Sequence, residues 1–355
     1  MDEQIISLLK QVKYPGFSRD IVSFGLVSRA ELENRKASVK LELSSSDPTL
    51  PQSLKKSVAE YLLTSDLIDE VEVGIVVKKS NNGDGSHSSE ENGSKAFDGI
   101  KKIVAVASGK GGVGKSTLAV NLACALSNQK TGTGESLKVG LMDCDVYGPS
   151  VPLLIGASQK PKILRENFLA PVESYGVKVM SMGLLVDEET PVVWRGPMVM
   201  KTIQQFAENV EWGELDILLI DLPPGTGDAQ LSLAQILPLD GVIIITTPQK
   251  AAMDVARRGA RMFEKVNVPI LGVVENMSYL LNQNTQEKSF LFGQGGGPLT
   301  AQALQTGFLG EVPIDEEIRQ GGDHGIPVVV SNPDGSATEA FDSIAESLSD
   351  LVRIG

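Results

Sequence analysis

The residues best suited to chemistry form one run, Ser108-Gly109-Lys110-Gly111-Gly112-Val113-Gly114-Lys115-Ser116-Thr117. It follows the apolar stretch Ile103-Val104-Ala105-Val106-Ala107 and precedes a helical pattern, Leu118-Ala119-Val120-Asn121-Leu122-Ala123. Strand, glycine-rich turn and helix start are the setting that a phosphate-binding loop requires. Glycines let successive backbone N–H groups face one anion, and the helix N-terminus adds partial positive charge. Lys115 can reach the β and γ phosphates of a nucleotide, and the Ser116 hydroxyl can ligate Mg²⁺. Lys110 adds a further lysine early in the loop.

Three acids follow at the ends of apolar runs. Val139-Gly140-Leu141-Met142-Asp143-Cys144-Asp145 closes on two carboxylates at i and i+2, which share a face only while the chain stays extended. Two acids near a phosphate site suit a Mg²⁺ shell and a water-activating base, although the same pattern also caps helices. Ile217-Leu218-Leu219-Ile220-Asp221 ends on an acid able to hold Mg²⁺ directly or through water. The next residues, Leu222-Pro223-Pro224-Gly225-Thr226-Gly227-Asp228, are rigid at the prolines and free at the glycines, as a γ-phosphate sensor needs. Two further phrases suit a base pocket by resemblance to the ATPases named below. Val273-Val274-Glu275-Asn276-Met277-Ser278 presents an amide that can pair with an adenine edge, or is a turn residue; Gly310-Glu311-Val312-Pro313-Ile314-Asp315 can set Pro313 against a ring.

The string Lys110-Gly111-Gly112-Val113-Gly114-Lys115-Ser116-Thr117 resembles the deviant phosphate loop of the ATPases that include nitrogenase iron protein, MinD, ParA and the Mrp/ApbC/Nbp35 proteins. The phrase 222–228 resembles the switch II segment of the Mrp/ApbC branch, and Trp194-Arg195-Gly196-Pro197-Met198 resembles another phrase of that branch. The resemblance covers nearly the whole chain. It implies an ATP-dependent homodimer in which Lys110 crosses the interface to the partner's phosphates. It also implies that Asp145 orients the attacking water and that Asp143 belongs to the Mg²⁺ water shell. Arg195 would lie near the dimer interface. The implied activity is ATP hydrolysis at low turnover, driving iron–sulfur cluster carriage to recipient apoproteins. The alternative is a cluster-free, MinD/ParA-like scaffold or positioning ATPase.

One part of that pattern is missing. Members of the branch usually carry a Cys-x-x-Cys soon after the Asn-Met-Ser phrase, one pair per subunit, to bridge a cluster. Here residues 278–293 contain no cysteine, while Asn276-Met277-Ser278-Tyr279 and Phe292-Gly293 are intact on either side. No iron–sulfur ligand is identifiable. Cys124 and Cys144, the two cysteines, read as buried small apolar residues. His87 and His324 read as solvated loop residues.

The elements that must position these groups fall into two parts. Residues 1–77 read as a small α+β domain: a helix through Ile5–Val12, strands over 21–27 and 37–43, a helix over 54–63 and a strand over 68–77. Its order, with Arg19-Asp20-Ile21-Val22-Ser23-Phe24-Gly25-Leu26-Val27, resembles the MIP18-like domain of iron–sulfur assembly proteins. Residues 78–99 include a run, 81–94, without one apolar side chain, which reads as a flexible linker. From 100 to 355, strands over 103–107, 138–142, 177–182, 216–220, 241–246, 270–274 and 327–330 alternate with helices. That predicts an α/β P-loop NTPase with a mostly parallel sheet and helices on both faces. Ligands of such sheets bind at the carboxyl ends of the strands, where every motif above falls.

The 355 residues carry 32 basic and 45 acidic side chains, a net charge of −13. That opposes broad binding to nucleic acid or anionic membranes. No run approaches a membrane span, the acidic start resembles no leader, and two cysteines suit a reducing compartment, so a cytoplasmic protein is expected.

Overall fold

Apolar side chains alternate along the strands of a small sheet and run continuously along those of a larger one, and each sheet has its own helices to cover it. The computed structural model describes residues 3–12, 21–22, 26–33, 35–44, 50–65, 67–78, 97–146, 148–165, 168–185, 209–225, 228–282 and 284–354. These fall into two compact units, Met1–Glu90 and Glu91–Gly355. The polar run 81–94, the Trp194–Met198 phrase with Arg195, Thr226, Gly227 and His87 lie outside the described residues.

The first unit contains α1 (Glu3–Leu9), β1 (Val27–Glu33), β2 (Lys36–Ser44), α2 (Leu50–Leu62) and β3 (Glu70–Lys78). The sheet order is β1-β2-β3, with β1 antiparallel to β2 and β3 parallel to it. Leu54, Val58 and Leu62, four residues apart on α2, are buried against Val39, Leu41 and Val73 of the strands and Ile5 and Leu9 of α1. The first strand differs from expectation. Ile21 and Val22 form a turn, with Ile21 buried in the core, and pairing begins at Val27. The polar-looking 27–33 is the strand because Ala30 and Leu32 face the core side while Arg29 and Glu31 stay wet.

The second unit holds twelve further strands among the described residues. These are β4 (Ile103–Ser108), β5 (Val139–Asp143), β6 (Ile163–Arg165), β7 (Phe168–Leu169), β8 (Val172–Ser174), β9 (Val177–Ser181), β10 (Ile217–Asp221), β11 (Gly241–Thr246), β12 (Ile270–Glu275), β13 (Leu280–Leu281), β14 (Lys288–Ser289) and β15 (Phe308–Glu311). The helices are α3 (Lys115–Asn128), α4 (Val151–Leu154), α5 (Asp228–Ile236), α6 (Lys250–Lys265), α7 (Gly296–Ala303), α8 (Glu316–His324), α9 (Val328–Ser331) and α10 (Ser336–Val352). Eight strands form one sheet in the order β15-β12-β11-β4-β10-β5-β9-β8, all parallel except β8. Val104 and Val106 pack with α3 and α10 on one face, while Ala105 and Ala107 pack with Leu233 of α5 and Phe263 of α6 on the other. The central strands therefore read as continuous apolar runs.

The stretch 327–330 is helical, not a strand. Pro327 fixes the helix entry with φ −52, its carbonyl accepts the Val330 and Ser331 N–H groups, and the Thr338 hydroxyl bonds to the Val328 carbonyl. The sheet edge is formed instead by Phe308–Glu311, paired with β12.

At the amino ends of the strands, the buried Asp216 and the more exposed Asp240 tie neighbours together. Asp216 accepts the Lys138 N–H at 2.8 Å and the Lys101 ammonium at 2.7 Å, and Asp240 accepts the Ile103 N–H at 2.8 Å. Burial alone would push the Asp216 carboxyl up, but Lys101 and the Lys138 N–H outweigh it and hold it below the usual carboxylate range. A depressed acid stabilises the fold above its unfolded-state pKa and loses that contribution as pH falls. Asp216→Asn is therefore expected to lower stability by about 1–2 kcal/mol at pH 7 in urea denaturation. The deficit should shrink towards pH 3; one independent of pH would contradict this.

Candidate functional site

β4 delivers the chain into the glycine loop, and α3 leaves it. Gly114 is the N-cap of α3 and sits at φ 82, in the left-handed region where a side chain is strained. A Cβ there would also strike the Asn276 amide nitrogen. Gly109 is needed for a different reason: a Cβ would lie 2.5 Å from the Val255 carbonyl carbon of α6. Lys115 and Ser116 open the helix, so the first-turn N–H groups and the helix dipole converge on the loop. Lys110 is half-buried at the loop mouth, and Thr117 is half-buried as the third residue of the helix.

The acids meet because β10 lies between β4 and β5 in parallel register, with Asp221 opposite both Val106 and Asp143. Asp221 is fully buried and accepts the Lys115 ammonium at 2.5 Å and the Ser116 hydroxyl at 2.6 Å. Burial pushes the Asp221 carboxyl up, against the pull of Lys115 and Ser116. Asp143 is fully buried too. It accepts the Asp145 N–H at 3.0 Å, the Ser181 hydroxyl at 2.9 Å and the Val151 N–H at 3.4 Å. Burial first, then the Asp221 carboxylate, pushes it up to about 7. Asp145 departs from Asp143's face because extended structure ends at Asp143. It is half-buried and accepts the Gly148 N–H at 3.2 Å.

Asn276 and Pro313 do come together. They line a cleft of about 380 Å³ with Gly114 and Thr117, and its apolar walls include Met277 and Ile314. The Asn276 side chain donates to the Val113 carbonyl at 2.8 Å, so one of its two amide hydrogens is spent on the loop. Ser108 begins the loop, its hydroxyl bonded to the Lys110 carbonyl at 3.0 Å.

Three buried polar residues at the site carry no motif that sequence reading could single out. Ser181 holds Asp143, and the link appears only in the β5–β9 register, where the two residues are paired. Glu275, fully buried, accepts the Ser278 hydroxyl at 2.6 Å and the Gly297 N–H at the start of α7. Gln230 of α5 donates to the carbonyls of Ser108 and Pro223. The segment that lacks cysteines forms a short hairpin, β13 with β14, in which the Lys288 ammonium lies 3.7 Å from the Tyr279 ring centroid. Cys124 and Cys144 are unpaired and buried. Burial pushes the Cys124 thiol up to about 12 and Cys144 well above its ordinary value, so neither is a ready thiolate. His324 is exposed at the end of α8, not in a loop, its Nδ1 2.7 Å from the Gln320 carbonyl. Among the described residues no cluster of three or more His, Cys, Asp or Glu is placed to hold a metal, and no helix is long and apolar enough to cross a membrane.

The chain is similar to several known proteins. A protein of Helicobacter pylori named iron–sulfur cluster carrier protein is 38% identical over 349 residues, 98% of this chain and 92% of its own length. An Arabidopsis thaliana protein, named iron–sulfur protein required for NADH dehydrogenase, mitochondrial, is 52% identical over 250 residues, covering 70% of this chain and 78% of that one. Among solved structures, the Archaeoglobus fulgidus nucleotide-binding protein in complex with ADP is 37% identical, with a TM-score of 0.59, covering 70% of this chain and 94% of its own. The Pyrococcus horikoshii MinD, complexed with Mg-ADP, has a TM-score of 0.51 at 23% identity over 70% of this chain and 96% of its own, a likeness of fold. Residues 99–349 match the model of the ParA-type NUBPL iron-transfer P-loop NTPases, and the chain belongs to that family.

Proposed function

We propose that the chain is an ATP-hydrolysing homodimer that carries iron–sulfur clusters, or assists their assembly, for recipient apoproteins. The observation that carries the ATP half is the convergence of Lys115, Ser116 and Asp221 at the N-terminus of α3. The Ser116 hydroxyl and the Asp221 carboxylate are hard oxygen donors, with Asp143 on the next strand, a set that suits Mg²⁺. Bound with ATP, Mg²⁺ would neutralise charge on the β and γ phosphates. Loop N–H groups and Lys115 would cradle the phosphates, and the Asn276–Pro313 cleft would take the base. Asp145, half-buried beyond β5, would orient the attacking water. Lys110, at the loop mouth, would reach the partner's phosphates in the dimer, and turnover would be slow for want of a dedicated base inside one subunit.

The cluster half is supported by family membership and by the names its relatives carry. The cluster is cargo, and this chain's two buried, protonated cysteines do not fit it. We therefore assign the cargo's ligands to partner proteins, which the small N-terminal unit, read as MIP18-like, would dock; the linker expected over 78–99 is shorter at both ends, since Lys78 belongs to β3 and Phe97 packs on the core of the second unit. The same absence of thiols from 278–293 favours a second reading, a cluster-free scaffold or positioning ATPase of the MinD/ParA kind. Either version works in the cytoplasm, consistent with unpaired cysteines, and neither needs nucleic acid or membrane.

Lys115→Ala should abolish ATP binding. Lys110→Ala should hold nucleotide affinity within about threefold yet lose hydrolysis and ATP-dependent dimerisation. Normal turnover by the Lys110 variant would exclude action in trans. Anaerobic iron and sulfide reconstitution of the chain alone should leave it nearly iron-free, and with a client apoprotein and ATP present the chain should speed transfer of the supplied iron and sulfide onto the client's own ligands. No transfer in the presence of ATP would favour the scaffold reading. Asp143 supplies a pH test without nucleotide. An acid raised in the folded state holds a proton that the unfolded chain releases, so stability falls as pH rises towards about 7. In melts between pH 5 and 8, Asp143→Asn should flatten that fall; an unchanged slope would contradict it.

A further inference from the structure

Ser108 ends β4 and begins the phosphate loop, and its carbonyl is a meeting point. It accepts the Gly225 N–H at 3.2 Å and the Gln230 side-chain amide at 3.2 Å. The same Gln230 nitrogen donates to the Pro223 carbonyl at 2.5 Å. Gln230 is 2% exposed. A primary amide offers two N–H donors. Here one is spent on the loop's first carbonyl and the other on the proline pair that follows Asp221.

Leaving either carbonyl dry and unpaired would be unfavourable, which holds the two segments in contact. The contact is close: a Cβ on Gly111 would sit 4.0 Å from that of Pro224. The other end of the loop is gripped by the same connection, since Asp221 bonds Lys115 and Ser116. The β10–α5 connection thus holds the phosphate loop at both ends, with Asp221 at one and Gln230 at the other. Between them, Pro223 and Pro224 are stiff and Gly225 turns the chain at φ 109, and both Pro223 and Gly225 are joined to the loop's start, Gly225 directly and Pro223 through Gln230.

We propose that Gln230 is a positioning residue that couples the phosphate loop to the Pro223–Gly225 segment, so that nucleotide at the loop is registered there through its side-chain amide. This rests on the nucleotide-binding reading above and goes beyond it by naming the connection.

Hydrogen exchange of the full chain, followed in peptides covering 103–117 and 217–230 with and without Mg-ADP, tests it. In the wild type, Mg-ADP should slow exchange in both peptides. Protection confined to 103–117 overturns the proposal without any variant. Gln230→Met keeps the length and removes both donors. It should bind Mg-ADP within about threefold of wild type and protect 103–117, while the response of 217–230, still joined to the loop through Asp221 and the Gly225 N–H, falls at least about twofold. Its ATP turnover should drop at least about tenfold with KM little changed. A residue that merely fills space would lower the melting temperature and affinity together and leave the 217–230 response intact, and that result refutes the coupling. Gln230→Glu, which has the same shape but cannot donate twice, should behave like the methionine variant and serves if the latter folds poorly. A wild-type chain that binds Mg-ADP but hydrolyses no ATP would fail the ATPase reading alone, and the exchange comparison would still decide the coupling.

Discussion

The buried ion pair between Lys115 and Asp221 is the constraint around which the second unit is arranged. Two opposite charges sit 2.5 Å apart with almost no solvent, and the Ser116 hydroxyl satisfies the second carboxylate oxygen. Removing one partner would strand a buried charge, at about 3–5 kcal/mol. The pair can form only if β10 neighbours β4 with its last residue level with the loop. The observed order and register meet both conditions. An acid at the end of an apolar strand and a lysine at a helix start thus pin helix, loop and sheet together.

The sheet separates two uses of the same side chain. At the amino ends of the strands, Asp216 meets a cation and a backbone N–H and is held low, which contributes stability. At the carboxyl ends, Asp143 has N–H and hydroxyl donors but lies beside Asp221, and it is pushed up. Asp221 has the Lys115 ammonium, while Asp143 beside it has no cation and is shifted towards protonation; a divalent cation bound there would offset the repulsion between the two carboxylates. The carboxyl edge is arranged for binding at the expense of stability, as functional edges of such sheets commonly are.

Much of this was legible in the residues. The loop, Asp143, Asp221, Asn276 and Pro313 all lie at strand ends, and strand ends on one edge of a parallel sheet must converge. Continuous apolar runs such as Ile217–Ile220 marked the buried strands. What escaped reading depended on tertiary context. Val328–Val330 is apolar and β-branched, yet Pro327 and Thr338 make it helical. Val27–Glu33 looks polar, yet it pairs with β2. Ser181, Gln230 and Glu275 gain importance only from neighbours far away in the chain, so no local pattern marks them.

The nucleotide edge and the thiol-free hairpin β13–β14 belong to one chain of the NUBPL-type P-loop family. Ser116 and Asp221 are proposed to form, with Lys115, a magnesium–nucleotide site. The most direct measurement is calorimetric titration of ATP with and without Mg²⁺, in the wild type and in Ser116→Ala. The account predicts that Mg²⁺ tightens ATP binding by at least about tenfold in the wild type and has little effect in the variant. Affinity independent of Mg²⁺, or equal enhancement in both proteins, would contradict it.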